Sequence, residues 1–263
     1  MANSSPFMGK YPAAGRAQGA HRDKPGDGAA RALDWPDCQN TRDLGGLPRN
    51  GGLTRPHVVI RSDHLGHLTA EGREALTAYG VSVVIDLRSA SEVLSKPNPF
   101  ADGTAARYLH HELVDDANMN NIGDSESMFD RYLFIVNNRP HAFRDVLTSV
   151  AEAEGGVLFH CFAGKDRTGL VAAMLLSLSD VPAVHIAADY GETDRQLAKQ
   201  YEVWISEAEP EKRDAFREEL RCPPERILGV LEHMDRRWGG VEGYLEAAGM
   251  TPNNIDRLST RLA

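Results

Sequence analysis

One string concentrates the reactive groups of this sequence: His160-Cys161-Phe162-Ala163-Gly164-Lys165-Asp166-Arg167-Thr168-Gly169. A thiol, two glycines, a lysine and an arginine share a short loop, and that combination suits anion chemistry. Backbone N–H groups after Cys161 can turn inward as a nest, and a helix opening near Thr168 adds the positive end of its dipole. Arg167 supplies a planar fork that grips two oxygens of a phosphate at once. The same field stabilises a thiolate at Cys161. A nucleophile beside a phosphate cradle points to phosphoryl transfer through a cysteinyl-phosphate intermediate. On this reading Cys161 attacks, and Phe162, Ala163, Gly164, Lys165 and Arg167 form the cradle. The Thr168 hydroxyl donates to the thiolate as it leaves. Gly164 and Gly169 permit a tight turn and a close helix–strand approach. A buried structural cysteine at a strand end is the plain alternative, but it leaves the rest of the string unexplained. The arginine spacing alone is weak evidence. Neither other cysteine has it: Leu44 follows Cys38 at that spacing and Leu228 follows Cys222.

The loop must be held by the elements around it. Val157-Leu158-Phe159 precedes it and Leu170 to Leu176 follows it, so a buried strand ending at His160 feeds a buried helix, the usual ligand position in α/β folds. Val58 to Ile60, Val81 to Ile85 and Arg107 to Leu113 read as further strands. Leu68 to Tyr79 reads as a helix capped by Thr69 and ended by Gly80, and 127–136 and 140–154 read as two more. From Pro182 onward the period is helical. The fold class is α/β, a parallel-rich sheet with flanking helices and a C-terminal helical extension.

The chain has 263 residues, 41% of them hydrophobic, and a net charge of −9. That suffices for one sizeable core and gives no basic signature for nucleic acid. Three cysteines without a C-x-x-C pair argue against a disulfide framework or a zinc site, and no apolar run has membrane-spanning length. Residues 1–32 read as a flexible tail without a secretory core, and 33–263 as the catalytic domain. The expected location is the cytoplasm, or outside the cell by a route without a recognisable signal peptide. Oligomeric state is not legible.

The loop resembles the signature of the cysteine-dependent protein tyrosine phosphatase superfamily, in the GKDRTG form of its bacterial branch. "NTRDLGGL" (Asn40 to Leu47), "IRSDHLGHLT" (Ile60 to Thr69), "VVIDLRSASEV" (Val83 to Val93), "AADYGETD" (Ala187 to Asp194) and "GGVEGYLEAAGMT" (Gly239 to Thr251) extend the resemblance over about residues 33–263. It implies a tyrosine phosphatase-like fold, Cys161 as nucleophile, Arg167 as the phosphate-binding arginine, Lys165 at the pocket mouth and Asp166 as the favoured acid. The expected substrate is a phosphotyrosine protein. A phosphoinositide is the alternative, with Lys165 as the extra cation, and a non-catalytic phosphate-binding module is a third reading. Neither cofactor nor metal is called for, because amides and Arg167 can stabilise the transition-state charge.

The acid is the open position. Trp35-Pro36-Asp37 mimics an acid loop of eukaryotic phosphatases but runs into the N-terminal motif, so Trp35 is expected to pack and Asp37 to cap or stay solvated. Asp130 sits in a helical setting. Asp86 ends a strand and could orient Arg167, assist proton transfer or pair with Arg88. Asp189 and Tyr190 are expected to support the loop, while His64, His67, His110 and His111 read as surface or strand-edge histidines without a full ligand set.

Overall fold

The computed structural model describes residues 31–118 and 127–263. Most of the expected tail, residues 1–30, lies outside the described residues.

The short strands β1 (Arg42–Asp43), β2 (Pro48–Arg49) and β3 (Gly52–Leu53) precede β4 (Val59–Ser62), β5 (Val81–Asp86), β6 (Arg107–His110) and β7 (Gly156–His160). The main sheet has the order β1-β4-β7-β5-β6. β1 runs antiparallel to β4, and every other pair is parallel. β7 thus enters last and lies between two strands formed earlier in the chain. Its register puts His160 beside Ser62 on one side and Asp86 on the other, with His110 next to Asp86. Four strand ends therefore share one carboxyl edge.

Both sheet faces are covered, as parallel strands require. Successive side chains alternate between faces. Ile60, Val84 and Leu158 join Trp35, Leu68, Leu76 and Phe100 in a smaller core. Val59, Val83, Ile85, Val157 and Phe159 join a larger one with the C-terminal helices. On the smaller side stands α1 (Ala70–Ala78), and α2 (Ala90–Ser95) follows β5 in the chain. α1 is capped as expected, the Thr69 hydroxyl accepting from the Gly72 amide at 3.2 Å. Its stop at Gly80 uses a left-handed φ of +97°. α2 has no counterpart in the sequence reading. It rests on a capping box in which Ser89 and Glu92 satisfy each other's amides.

The chain continues through α3 (Met128–Asn138), α4 (Pro140–Glu152), α5 (Asp166–Leu178) and α6 (Ala183–Glu207). It ends with α7 (Arg213–Leu220), α8 (Pro224–Trp238), α9 (Val241–Ala247) and α10 (Pro252–Arg261). α5 is buried from Asp166 to Leu176; beyond its polar first turn it is apolar all round from Gly169 to Leu176 and therefore central. β6 stops at His110 rather than Leu113 because its partner β5 ends opposite at Asp86. The Trp35-Pro36-Asp37 turn divides as expected: Trp35 packs edge-on against Tyr79, ring centroids 5.7 Å apart, and Asp37 is exposed.

Candidate active site

β7 delivers Cys161 to the carboxyl edge, and α5 opens at Asp166, two residues earlier than expected, so its dipole end belongs to the loop itself. The loop carbonyls are all engaged. The Phe162 carbonyl accepts from the His64 amide at 3.0 Å. Those of Ala163 and Gly164 accept from Asn40 Nδ2 at 2.9 and 3.1 Å, and Arg61 Nη2 also donates to Gly164 at 2.8 Å. The His160 ring closes the set, Nδ1 lying 3.0 Å from the Cys161 carbonyl. A carbonyl cannot donate, so Nδ1 carries the proton and Nε2 accepts from Asn98 at 2.8 Å. Burial depresses the His160 pKa, with the Asp86 charge opposing, which keeps the ring neutral. With the carbonyls tied outward, the amides are left to face the loop's interior. That is the geometry of an anion nest. Gly164 makes it possible: its φ is +67°, and a Cβ there would meet the Ser62 carbonyl at 2.5 Å.

Arg167 is gripped from behind. Its Nη1 and Nη2 donate to Glu92 Oε2 and Oε1 at 2.5 and 2.9 Å, and Glu92 Oε2 also accepts from the Ser89 amide at 2.8 Å. One carboxylate thus completes the α2 capping box and fixes the guanidinium plane. Burial works against both charges, but each holds the other ionised: Glu92 lies below the usual carboxylate range and Arg167 above the usual arginine value. Thr168 is fully buried and its Oγ1 has no hydrogen-bond partner among the described residues. Such a hydroxyl is costly unless the loop supplies an acceptor, and a thiolate or a bound phosphate oxygen is one.

A second layer of charge fixes the loop's position. Asp189 on α6 accepts from Arg42 Nε at 3.1 Å and Arg61 Nη1 at 2.7 Å, with Arg31 Nη1 at 3.0 Å. Burial would raise its pKa, yet three cations hold it far below the carboxylate range. Arg42 Nη1 in turn donates to Asn40 Oδ1 at 2.6 Å, aiming the amide that holds Ala163 and Gly164. Asp189 and Tyr190 thus have the supporting positions expected of them. Gly169, however, serves a helix–helix approach, because its added Cβ would meet the Tyr190 ring of α6 at 3.1 Å.

Three expected placements need correction. Asp86 does not reach Arg167. Of its expected roles the pair with Arg88 is the one it takes, at 2.6 and 2.9 Å, with Tyr108 and Asn98 also donating to it, and Glu92 takes the orienting position instead. Lys165 is not at the pocket mouth. It is fully buried, with Nζ donating to Asp166 Oδ1 at 2.8 Å and to the Glu219 carbonyl at 3.1 Å. Asp166 is the third. Its Oδ1 also accepts from Tyr132 OH at 2.5 Å. Burial opposes its charge, but Lys165 and Tyr132 pull its pKa below the usual carboxylate value. A carboxyl held ionised has no proton to give. Asp130 sits in the first turn of α3, which Ser127 caps: its amide donates to the Ser127 hydroxyl at 3.2 Å and its Oδ2 accepts from that hydroxyl at 2.6 Å.

In front of the loop lies a cavity of about 30 Å³, walled by Asp63, His64, Lys96, Phe162, Gln200 and Trp204, with His67 at its side. His64 stacks on Phe162 with centroids 5.1 Å apart, so this histidine is a pocket wall, not a surface residue. Lys96 Nζ sits 4.9 Å from the Phe162 ring centroid. The sequence reading missed Asp63, Glu92 and Lys96. For Glu92 a signal existed, the Ser89-x-x-Glu92 capping-box pattern.

A cysteine between a central parallel strand and a buried helix, facing a nest and a clamped arginine, defines a class of cysteine-based phosphate-handling fold. The chain belongs to the tyrosine phosphatase family, whose model matches residues 33–263. It is similar to a tyrosine-protein phosphatase of Nostoc commune, 32% identical over 217 residues that cover 78% of this chain and 74% of the relative. It is also similar to the triple specificity protein phosphatase PtpB of Mycobacterium tuberculosis, 28% identical over 271 residues covering 86% and 96% of the two chains. Among the described residues no helix is long and apolar enough to cross a membrane.

Proposed function

We propose that the protein hydrolyses protein phosphotyrosine through a cysteinyl-phosphate intermediate, with residues 33–263 as the catalytic domain. The observation that carries this reading is the Glu92–Arg167 clamp, which presents a pre-oriented guanidinium to a nest that already holds the thiol. Loop amides and Arg167 bind the three non-bridging oxygens. Cys161 Sγ attacks phosphorus in line, the P–O bond to the tyrosyl oxygen breaks, and that oxygen takes a proton. Water then attacks the phosphocysteine, and the thiolate departs with a hydrogen bond from Thr168. Amides and Arg167 stabilise the charge that develops on phosphorus.

The proton comes from Asp63 in this account, because Asp63 is the carboxylate among the residues that wall the cavity. Protonated, it gives its proton to the tyrosyl oxygen. Ionised, it takes one from the attacking water. Lys165 and Asp166 instead hold the loop to Tyr132 and to the end of α7. The cavity has room for a water or two, so a tyrosyl ring enters only when Trp204 and its α6 neighbours swing aside, a gating step of the kind lids perform. Phe162, His64 and Trp204 then line the ring.

A phosphoinositide is the second reading. It is favoured by Lys96, a cation in the cavity wall, and by the name of the mycobacterial relative, which states triple specificity. Lys165 cannot serve that purpose while Asp166 neutralises it. Initial rates on a phosphotyrosine peptide, a phosphoserine peptide and a phosphoinositide, measured with excess chelator, test the proposal. Phosphotyrosine turnover should be fastest and unaffected by chelation. Failure to hydrolyse phosphotyrosine, or loss with chelator and recovery with a divalent metal, contradicts it.

A further inference from the structure

At the opposite end of the sheet lies a groove of about 540 Å³, lined by Arg55, His57, Tyr79, Gly155, Arg257 and Arg261 among others. It opens where β4, β5 and β7 begin. The five residues of β7 separate it from the catalytic loop, roughly 16 Å at strand rise. Three guanidinium groups converge here, and none has a carboxylate partner among the described residues. Asp43 touches this rim but accepts from Tyr79 OH and the His57 amide, each at 2.6 Å.

Helix capping explains part of the cluster. Arg261 Nη1 and Nη2 donate to the carbonyls of Ala153 and Gly155 at 2.9 and 2.6 Å, beyond the end of α4. Arg55 Nη2 donates to the Arg261 carbonyl at 2.8 Å, at the end of α10. Capping does not explain the rest. Arg257 is exposed in the groove, and Arg261 Nε is buried without a hydrogen-bond partner among the described residues. Burial, then Arg55 and Arg257, lower the Arg261 pKa, so the three cations repel one another in a chain whose net charge is −9. Beside them His57 stacks on Tyr79, ring centroids 4.1 Å apart and planes 28° from parallel. A charge-assisted anion in the groove would satisfy Nε and relieve the repulsion.

We infer that this groove is a second anion site, separate from the catalytic loop, that binds a small polyphosphate, free or as a lipid headgroup, between Arg55, Arg257 and Arg261. Phosphate oxygens match the guanidinium forks, and the His57–Tyr79 face offers a wall for a ring carried by the ligand.

The test is a titration of pyrophosphate into the full chain with vanadate saturating the catalytic loop. The wild type should still take up one pyrophosphate. Arg55→Ala/Arg257→Ala should weaken that binding about tenfold or more while turnover of a small aryl phosphate stays unchanged; Tm should hold in Arg257→Ala and fall only slightly in the double variant, which loses the Arg55 bond to the end of α10. Both substitutions spare Arg261, whose caps support α4. A parallel arm uses vesicles carrying bisphosphorylated inositol headgroups. Arginine-dependent binding to vesicles identifies a lipid-borne ligand, and binding of pyrophosphate without vesicles a free one. If the wild type binds neither probe under vanadate, or the double variant binds equally well, the site does not exist.

Discussion

The two ends of β7 handle positive charge in opposite ways. At the carboxyl end the cations that hold the loop are paired with acids: Arg167 with Glu92, Lys165 with Asp166, Arg88 with Asp86, while Arg31, Arg42 and Arg61 share Asp189. At the amino end Arg55, Arg257 and Arg261 have none among the described residues. Compensation at the catalytic end keeps side chains at single positions without a ligand, and leaves anion binding to backbone amides plus one pre-oriented fork. Where charge is left uncompensated, occupancy by an anion becomes the stabilising event. The contrast separates carboxylates that pair with a cation from Asp63, which accepts from the Gln39 and Asn40 amides and also walls the cavity, and each can be removed.

The largest effect should follow from removing the cavity-facing acid. Asp63→Asn should slow aryl phosphates with poor leaving groups by about 10²–10⁴ and spare p-nitrophenyl phosphate, which leaves without a proton. Asp166→Asn, which loosens a tether, should slow both to a similar degree. If the leaving-group dependence follows Asp166 and not Asp63, the assignment of the acid reverts to the loop.

Next in size is the stability contrast between the two ends. Asp189→Asn leaves three buried or half-buried arginines uncompensated and should cost about 3–5 kcal/mol, a fall in Tm of roughly 10 °C. Arg257→Ala should leave Tm unchanged or slightly higher. The Asp189 effect also has a pH signature. Its folded pKa is depressed despite burial, so the folded state holds fewer protons than the unfolded one and stability rises with pH. The Tm gap between wild type and Asp189→Asn should be full above roughly pH 5 and narrow as pH falls below about 4, the unfolded aspartate value. A gap independent of pH contradicts an electrostatic role.

Smaller again is Glu92→Gln, which keeps the capping geometry but loosens the Arg167 fork. It should lower kcat by about 10², as loss of one transition-state contact does, and lower Tm as well, because a buried guanidinium loses its carboxylate. An unchanged kcat shows that Arg167 needs no clamp.

Elements with local signals were legible in the sequence. The apolar runs of β5 and β7 and the Thr69 cap of α1 depend on neighbours a few residues away, and the nest depends on Gly164 and its sequence neighbours. What escaped depends on distant pairs. Glu92 meets Arg167 across 75 residues, Asn40 meets Ala163 across 123 and Arg42 meets Asp189 across 147. β1, only two residues long, carries no periodicity to detect. Lys165 and Asp166 were misplaced for a different reason: spacing shows that a loop holds a lysine, not whether it leaves the loop toward solvent or toward α7. Asp63 lies in "IRSDHLGHLT" without a local signal of its own, although it directly follows the end of β4, and strand ends in a parallel sheet point to the site.

The central claim is that Cys161 carries the phosphoryl group. Rapid acid quench during turnover of an aryl phosphate, followed by peptide mass analysis, tests it directly. The account predicts one added phosphoryl group on the peptide containing Cys161, formed in a burst before steady state, and none in Cys161→Ser, which should still bind vanadate but not turn over. A phosphoryl group on another residue, or sustained hydrolysis by Cys161→Ser, would contradict it.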